Sequence, residues 1–173
     1  MARFVFLDRD GTLTHDGGGY THRVEDYALL PGAVEGLRRL RDAGFALAIV
    51  TNQSGIARGY CDEAAYDRFR AHLAAELARQ GIEVVRTFHC PHLPEAGCRC
   101  RKPEPGMLMR ARLELGADLA ASWVVGDMPS DVELAERAGC AGAVRIDPGG
   151  GPGTAPDLPA AAERILAADE AAG

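Results

Sequence analysis

The stretch "RFVFLDRDGTLT", residues 3–14, sets an apolar run directly against two carboxylates and a glycine. Its first part, RFVFL, is typical of a strand that is buried on both faces of a parallel sheet. Asp8 and Asp10 follow at spacing i and i+2. A calcium loop would need Gly at its sixth position and Glu at its twelfth, where the chain has Leu13 and Gly19. The stretch therefore predicts either a site after a buried strand or, taken alone, a plain Asp-Gly turn.

Apolar runs and amphipathic segments alternate along the rest of the chain. The predicted strands cover residues 3–7, 45–50, 83–89, 122–126 and 142–146, and the predicted helices cover 31–44, 62–81, 106–116, 130–139 and 158–170. Such alternation indicates a three-layer, Rossmann-like α/β fold in which a parallel sheet has helices on both faces. We expect one domain over residues 1–173, with a Gly- and Pro-rich loop at 147–156. Asp62 is expected to cap its helix, and Ser130 and Glu133 have the spacing of a capping box.

Composition narrows the classes of partner. The chain has 173 residues and a formal net charge of −6, with 19 basic and 25 acidic residues. The basic residues are scattered, which argues against nucleic acid as a ligand. No apolar run approaches the ~20 residues that a membrane helix needs, and the apolar run at the N-terminus is too short for a secretory signal. We therefore expect a cytoplasmic protein with reduced thiols, no membrane partner and a small-molecule ligand.

Polar side chains follow three of the predicted strands. Asp8 and Asp10 come after the first strand, Thr51 and Asn52 after the second, and Asp127 after the fourth. Ligands of open parallel sheets bind outside the carboxyl ends of the strands. The sequence therefore predicts a binding or catalytic site at this edge.

A cluster of cysteines lies in "CPHLPEAGCRC", residues 90–100. Cys90, His92, Cys98 and Cys100 have the spacing C-x-H-x5-C-x-C, which supplies three thiolates and an imidazole for tetrahedral Zn²⁺. Four protein ligands would leave no open coordination position, so a structural zinc is favoured over a catalytic one. A disulfide pair is the alternative.

Four motifs together resemble the haloacid dehalogenase superfamily. They are "DRDGTL" (8–13), "TNQSGIARG" (51–59), "CPH" (90–92) followed by "CRCRKPEPGM" (98–107), and "GDMPSD" (126–131). Within that superfamily the chain is most similar to the heptose bisphosphate phosphatases and to the related histidinol-phosphate phosphatases. The resemblance implies a fold without a large cap domain, and a monomer.

The resemblance also implies a Mg²⁺-dependent phosphatase mechanism. Asp8 would be the nucleophile and would form an aspartyl-phosphate, and Asp10 would be the general acid and base. Thr51 and Lys102 would stabilise the transferred phosphoryl group. The Mg²⁺ ligands would come from Asp8, the backbone carbonyl of Asp10 and Asp127, and Asp131 would orient Lys102 or a metal-bound water.

The implied reaction is removal of the 7-phosphate of D-glycero-D-manno-heptose 1,7-bisphosphate. Hydrolysis of histidinol phosphate is the alternative, and a zinc-binding interaction module without turnover is a second alternative. Because residues 15–22 match a flap that contacts substrate in relatives, and other motif residues adjoin the site, the expected substrate-binding residues are Asp16, Gly18, Gly19, Tyr20, Asn52, Gln53, Ser54 and Arg101.

Overall fold

A computed structural model describes residues 1–172 of the chain and shows a parallel sheet of six strands. The strands are β1 (Phe4–Leu7), β2 (Ala46–Asn52), β3 (Val84–Cys90), β4 (Trp123–Gly126), β5 (Gly142–Ile146) and β6 (Thr154–Ala155). Their order across the sheet is β3-β2-β1-β4-β5-β6, and every neighbouring pair is parallel. The predicted fold class is confirmed.

Helices cover both faces of this sheet. They are α1 (Ala33–Asp42), α2 (Glu63–Arg79), α3 (Gly106–Leu115), α4 (Pro129–Ala138) and α5 (Leu158–Ala172), with short 3-10 turns at Val24–Asp26, Pro94–Ala96 and Leu119–Ala121. The predicted cap of α2 is confirmed, because the Asp62 side chain accepts a hydrogen bond of 2.7 Å from the Ala65 backbone N–H. None of the helices described in residues 1–172 is long and apolar enough to cross a membrane.

Alternate residues of β1 enter two separate hydrophobic cores. Val5 and Leu7 pack with residues of α1, α2 and α5, whereas Phe4 and Phe6 pack with residues of α3 and α4. Strand residues alternate between faces, so burial of all four side chains requires helices on both sides. The continuous apolar run of β1 is explained by this three-layer arrangement.

Three details differ from the sequence-based expectations. The segment 147–156 is not entirely loop, because Thr154 and Ala155 pair with the end of β5. Thr51 and Asn52 are the last residues of β2 and do not follow it. Helix α4 begins at Pro129, so the expected capping pair at Ser130 is wrong; instead the Asp131 carboxylate accepts a bond of 3.0 Å from the Met128 backbone N–H.

Candidate active site

A cavity of about 350 Å³ opens at the carboxyl ends of the central strands. Because β3, β2, β1 and β4 are adjacent in the sheet, polar residues that are far apart in sequence meet there. The lining residues are Asp8, Asp10, Asp16, Gly19, Tyr20, Thr51, Asn52, Gln53, Ser54, Arg101, Lys102, Asp127, Met128 and Ser130. Among the predicted substrate-binding residues, Gly18 is not part of this lining; it lines a second cavity, which shares Asp16 with the first.

Lys102 lies between two carboxylates at the bottom of this cavity. Its Nζ is 2.9 Å from Oδ1 of Asp8 and 2.7 Å from Oδ1 of Asp131, and it donates a further bond of 3.0 Å to the Val50 carbonyl. Burial lowers the pKa of Lys102, but the two carboxylates outweigh burial and hold its pKa above the usual value. The ammonium group is therefore a fixed positive charge beside Asp8.

The backbone of Lys102 is held by the end of β2. The Lys102 N–H donates to Asn52 Oδ1 at 3.0 Å, and Asn52 Nδ2 donates to the Lys102 carbonyl at 3.3 Å. Asn52 was expected to contact substrate, but both ends of its amide are already bonded to this backbone. Its contribution is to align the segment that carries Lys102 with the strand that carries Thr51.

Asp10 is held mainly by Arg9 and Gln53, with a longer bond of 3.5 Å from the Thr14 hydroxyl to Oδ1. Arg9 contacts both carboxylate oxygens: its Nε donates to Oδ1 at 3.0 Å, and its Nη2 lies 2.9 Å from Oδ2 in an ion pair. Gln53 Nε2 donates to Oδ2 at 2.9 Å. Gln53 Nε2 also donates to Thr51 Oγ1 at 2.9 Å. Burial raises the pKa of Asp10, and the positive charge of Arg9 opposes that rise. Gln53, expected to bind substrate, thus links Asp10 to Thr51.

Asp127 has the chemistry of a cation ligand. Its buried Oδ1 has no hydrogen-bond partner among residues 1–172, and carboxylate oxygens of Asp8, Asp127 and Asp131 lie within 4.8 Å of one another. Burial and the negative charge of Asp8 raise the pKa of Asp127 to about 7. Hard oxygen ligands clustered in this way suit Mg²⁺, so the residues present fit that ion.

Two glycines allow the carboxylates to approach so closely. A Cβ on Gly11 would lie 2.4 Å from Asp127 Oδ2, and one on Gly126 would lie 2.1 Å from Asp131 Cγ. Gly11 also has a positive φ of 77°, which favours glycine. Any side chain at either position would displace an acidic group of the site.

The cysteine cluster lies beside the cavity, at the end of β3. Sγ of Cys90 is 3.6 Å from Sγ of Cys98 and 3.4 Å from Nδ1 of His92, and that nitrogen is 3.2 Å from Sγ of Cys100. A zinc tetrahedron with Zn–S bonds of 2.3 Å has edges of about 3.8 Å, whereas a disulfide needs about 2.05 Å between sulfurs. The four groups could therefore hold zinc, and all the cysteines are free.

The cysteine cluster is followed directly in the chain by two residues that line the cavity. Cys100 directly precedes Arg101 and Lys102, and Arg101 Nη1 lies 3.4 Å from the His92 carbonyl. A metal at the cluster would fix the loop that supplies the two basic side chains.

Sequence reasoning missed four residues at this site. Met128 and Ser130 line the cavity, and Arg145 donates from Nε to the Asp127 carbonyl at 3.1 Å. Arg9 is the fourth, and the signal for it was present: a basic residue stands between two carboxylates directly after a buried strand. Arg145 had no comparable signal, because it is close to Asp127 only through the pairing of β4 with β5.

The fold is that of a HAD-like phosphatase. Residues 99–145 match the family model described as HAD-hydrolase-like. The chain is 43% identical over 136 residues to the D-glycero-beta-D-manno-heptose-1,7-bisphosphate 7-phosphatase of Pseudomonas aeruginosa, a match that covers 79% of this chain and 76% of the relative. The chain belongs to this family of heptose bisphosphate phosphatases.

Two further comparisons agree. The D-glycero-alpha-D-manno-heptose-1,7-bisphosphate 7-phosphatase of Photorhabdus laumondii is 39% identical over 144 residues, covering 79% of this chain and 78% of that protein. The crystal structure of D,D-heptose 1,7-bisphosphate phosphatase from B. bronchiseptica, complexed with magnesium and phosphate, superposes with a TM-score of 0.84 at 34% identity, covering 95% of this chain and 98% of that one. Relatives of this chain are thus named for both anomers of the sugar.

Proposed function

We propose that the chain removes the 7-phosphate of D-glycero-D-manno-heptose 1,7-bisphosphate through an aspartyl-phosphate on Asp8, with the whole chain acting as one phosphatase domain. The observation that carries the proposal is the position of Lys102 Nζ, 2.9 Å from Asp8 Oδ1 at the bottom of the cavity. That arrangement places a fixed positive charge beside a carboxylate that faces the cavity, as phosphoryl transfer requires. The names of the relatives support the heptose substrate.

In the first half-reaction a carboxylate oxygen of Asp8 forms a bond to phosphorus while the bond to the sugar oxygen breaks. Asp10 gives a proton to that leaving oxygen. In the second half-reaction Asp10 takes a proton from water as the water attacks phosphorus, which releases Asp8 and inorganic phosphate. One difficult step is thereby divided into two.

Charge on the phosphoryl group is balanced by side chains around Asp8. Lys102 and the Thr51 hydroxyl would contact the non-bridging oxygens, where one preorganised donor contributes about a hundred- to thousandfold in rate. Asp8, Asp127 and the backbone carbonyl of Asp10 would hold Mg²⁺, which lowers the repulsion between a carboxylate and a phosphate dianion. Asp131 has one oxygen on Lys102 and the other on the Met128 N–H, so it orients Lys102.

The cysteine cluster would hold a structural Zn²⁺ through Cys90, His92, Cys98 and Cys100. Three thiolates select a soft metal, and the oxygen cluster around Asp127 selects a hard one, so the two ions would occupy separate sites. Reduced thiols are typical of the cytoplasm, and we extend the proposal to a cytoplasmic protein that is a monomer. Gel filtration with light scattering would test the monomeric state.

The sugar would lie between the flap and the zinc-type loop. Asp16, Gly19 and Tyr20 of the flap line the cavity together with Arg101. A guanidinium can form paired hydrogen bonds with a phosphate, so Arg101 is suited to the second phosphate of the substrate. Histidinol phosphate lacks that second phosphate, which is the physical reason to favour the bisphosphate.

The decisive experiment compares kcat/KM for heptose 1,7-bisphosphate, as both anomers, with kcat/KM for histidinol phosphate in the presence of Mg²⁺. We expect the bisphosphate to be preferred by about a hundredfold, the ratio expected when a charged group is left unpaired. A preference of that size for histidinol phosphate would overturn the substrate. An Asp8→Asn preparation serves as the control for contaminating phosphatases.

A further inference from the structure

Arg9 is a buried charged residue that the catalytic scheme above does not use. Its side chain is 2% exposed, although it stands next to the cavity. The cavity-lining residues described above do not include it, so it does not contact substrate there. A guanidinium that is removed from water must be compensated by partners, and its partners reveal what it does.

Those partners fix the guanidinium on several sides. Nε donates to Oδ1 of Asp10 at 3.0 Å, and Nη2 lies 2.9 Å from Oδ2 in an ion pair, so the guanidinium forms a two-point fork on the carboxylate. Nη2 also donates to the Thr21 carbonyl at 2.6 Å and to Gln53 Oε1 at 3.2 Å. The plane of the group lies over the Phe69 ring of α2, with Cζ 4.6 Å from the ring centroid. Arg9 is thus held at once by the flap, by the residue that follows β2 and by α2.

The fork constrains the one side chain that must meet the leaving oxygen. A carboxylate turns easily about its last torsion, and proton transfer needs the donor within hydrogen-bond reach and correctly oriented. Arg9 contacts both oxygens, and Asp10 is among the residues that line the cavity. Gln53 contacts only Oδ2, and the Thr14 hydroxyl donates a long bond of 3.5 Å only to Oδ1. Neither side chain contacts both oxygens, as Arg9 does.

We propose that Arg9 is a positioning residue that holds the Asp10 carboxylate toward the leaving-group oxygen and ties that orientation to the flap backbone at Thr21. This inference rests on the proposed function, because it assumes that Asp10 transfers the proton. It assigns Arg9 no contact with substrate, phosphate or metal.

The test separates proton transfer to the leaving group from all other contributions. A sugar alkoxide needs protonation as it leaves, whereas p-nitrophenolate does not. In Arg9→Met we expect the first half-reaction with heptose 1,7-bisphosphate, measured by rapid quench in a single turnover, to slow by about a hundredfold, the usual contribution of general acid catalysis. The pre-steady-state burst of p-nitrophenol from p-nitrophenyl phosphate should keep its rate.

Two further variants accompany Arg9→Met, one conservative and one a control. Arg9→Lys keeps the charge but cannot form the fork. It should lose less of the first half-reaction rate with the sugar substrate and still keep the rate with p-nitrophenyl phosphate. It replaces Arg9→Met in the test if that variant does not fold. Arg3→Met is the matched control. Arg3 also pairs with a carboxylate, Asp169, and lies over an aromatic ring, Phe45, with Cζ 4.3 Å from the centroid. It should leave both rates unchanged.

Asp10→Asn distinguishes the two possible failures. If Asp10→Asn slows the first half-reaction of both substrates equally, the general-acid role in the proposed function is wrong. If Asp10→Asn is selective for the sugar substrate but the Arg9 variants slow both substrates equally, or neither, then only the positioning role of Arg9 is overturned.

Discussion

The ammonium group of Lys102 lies 2.7 Å from Oδ1 of Asp131, and both side chains are almost fully buried. Asp131 belongs to α4, whereas Lys102 lies in the segment before α3, so this ion pair joins α4 to that segment. The same ammonium group reaches Asp8 on β1. A single buried cation thereby holds three segments of the chain in register at the cavity.

Asp131→Ala tests this ion pair. Removing one partner of a buried pair typically costs about 3–5 kcal/mol, and because Asp8 still contacts Lys102 we expect the free energy of unfolding to fall by about 3 kcal/mol, with a large decrease in kcat. Urea denaturation and steady-state kinetics measure both effects. Glu133→Ala, an exposed change on the same helix, is the control and should alter neither; a stable, active Asp131→Ala would contradict the role.

Asp8→Asn tests the nucleophile. The amide cannot attack phosphorus, so turnover should fall by at least about a thousandfold, in line with the loss of other nucleophiles. The variant should still fold, because Lys102 keeps its ion pair with Asp131 and the lost charge contact between Asp8 and Lys102 is offset by removal of the repulsion between Asp8 and Asp127. Residual turnover within tenfold of wild type, in a preparation with normal thermal stability, would mean that another group attacks.

Metal analysis and chelation test the cysteine cluster. Protein purified without chelator should contain about one zinc per chain, and removal of the zinc should lower both Tm and kcat, because structural zinc sites contribute on the order of 10 kcal/mol of binding free energy to folding. Cys100→Ser should reproduce the loss, whereas Cys61→Ser, which changes a cysteine outside the cluster, should retain zinc and activity. Zinc-free protein with an unchanged Tm would contradict a structural role for the zinc.

Gly126→Ala tests the close approach of backbone and carboxylate. The added Cβ would lie 2.1 Å from Asp131 Cγ, so either β4 or α4 must move, and overpacking of this kind costs about 1–3 kcal/mol. Lys102 would lose its alignment, so kcat should fall together with Tm. Gly151→Ala is the matched control, because its nearest neighbour to an added Cβ, in Thr154, is at 3.7 Å.

Much of the fold could be predicted from local patterns. The apolar run of β1 and the alternation of strands with helices led directly to the three-layer sheet. The two-residue strand β6 could not be predicted, because Thr154 and Ala155 carry no periodic signal and become a strand only by pairing with β5. The cap of α4 was placed on the wrong residue for a related reason: Ser130 has the right spacing, but the N-cap is Met128, two residues earlier.

The candidate site likewise has a part that motifs predict and a part that they do not. Asp8, Asp10, Thr51, Lys102 and Asp127 were identified from motifs, and the C-x-H-x5-C-x-C spacing identified a zinc-type cluster. The motifs did not reveal that the amides of Asn52 and Gln53 hold other protein groups, nor that Gly18 lies outside the cavity. Those outcomes depend on which hydrogen-bond partners are within about 3 Å in the folded chain.

The sequence by itself determined the order of strands and helices and which residues could carry chemistry, because burial pattern and ligand spacing are local properties. Only the tertiary structure decided what each carboxylate contacts. Asp10 is held by Arg9, and Asp131 forms an ion pair with Lys102. Asp127 keeps a buried oxygen that has no hydrogen bond within residues 1–172. The physical reason is distance. Electrostatic and hydrogen-bonding interactions act over a few ångströms, and the order of strands in the sheet, rather than of residues in the chain, sets which groups are that close.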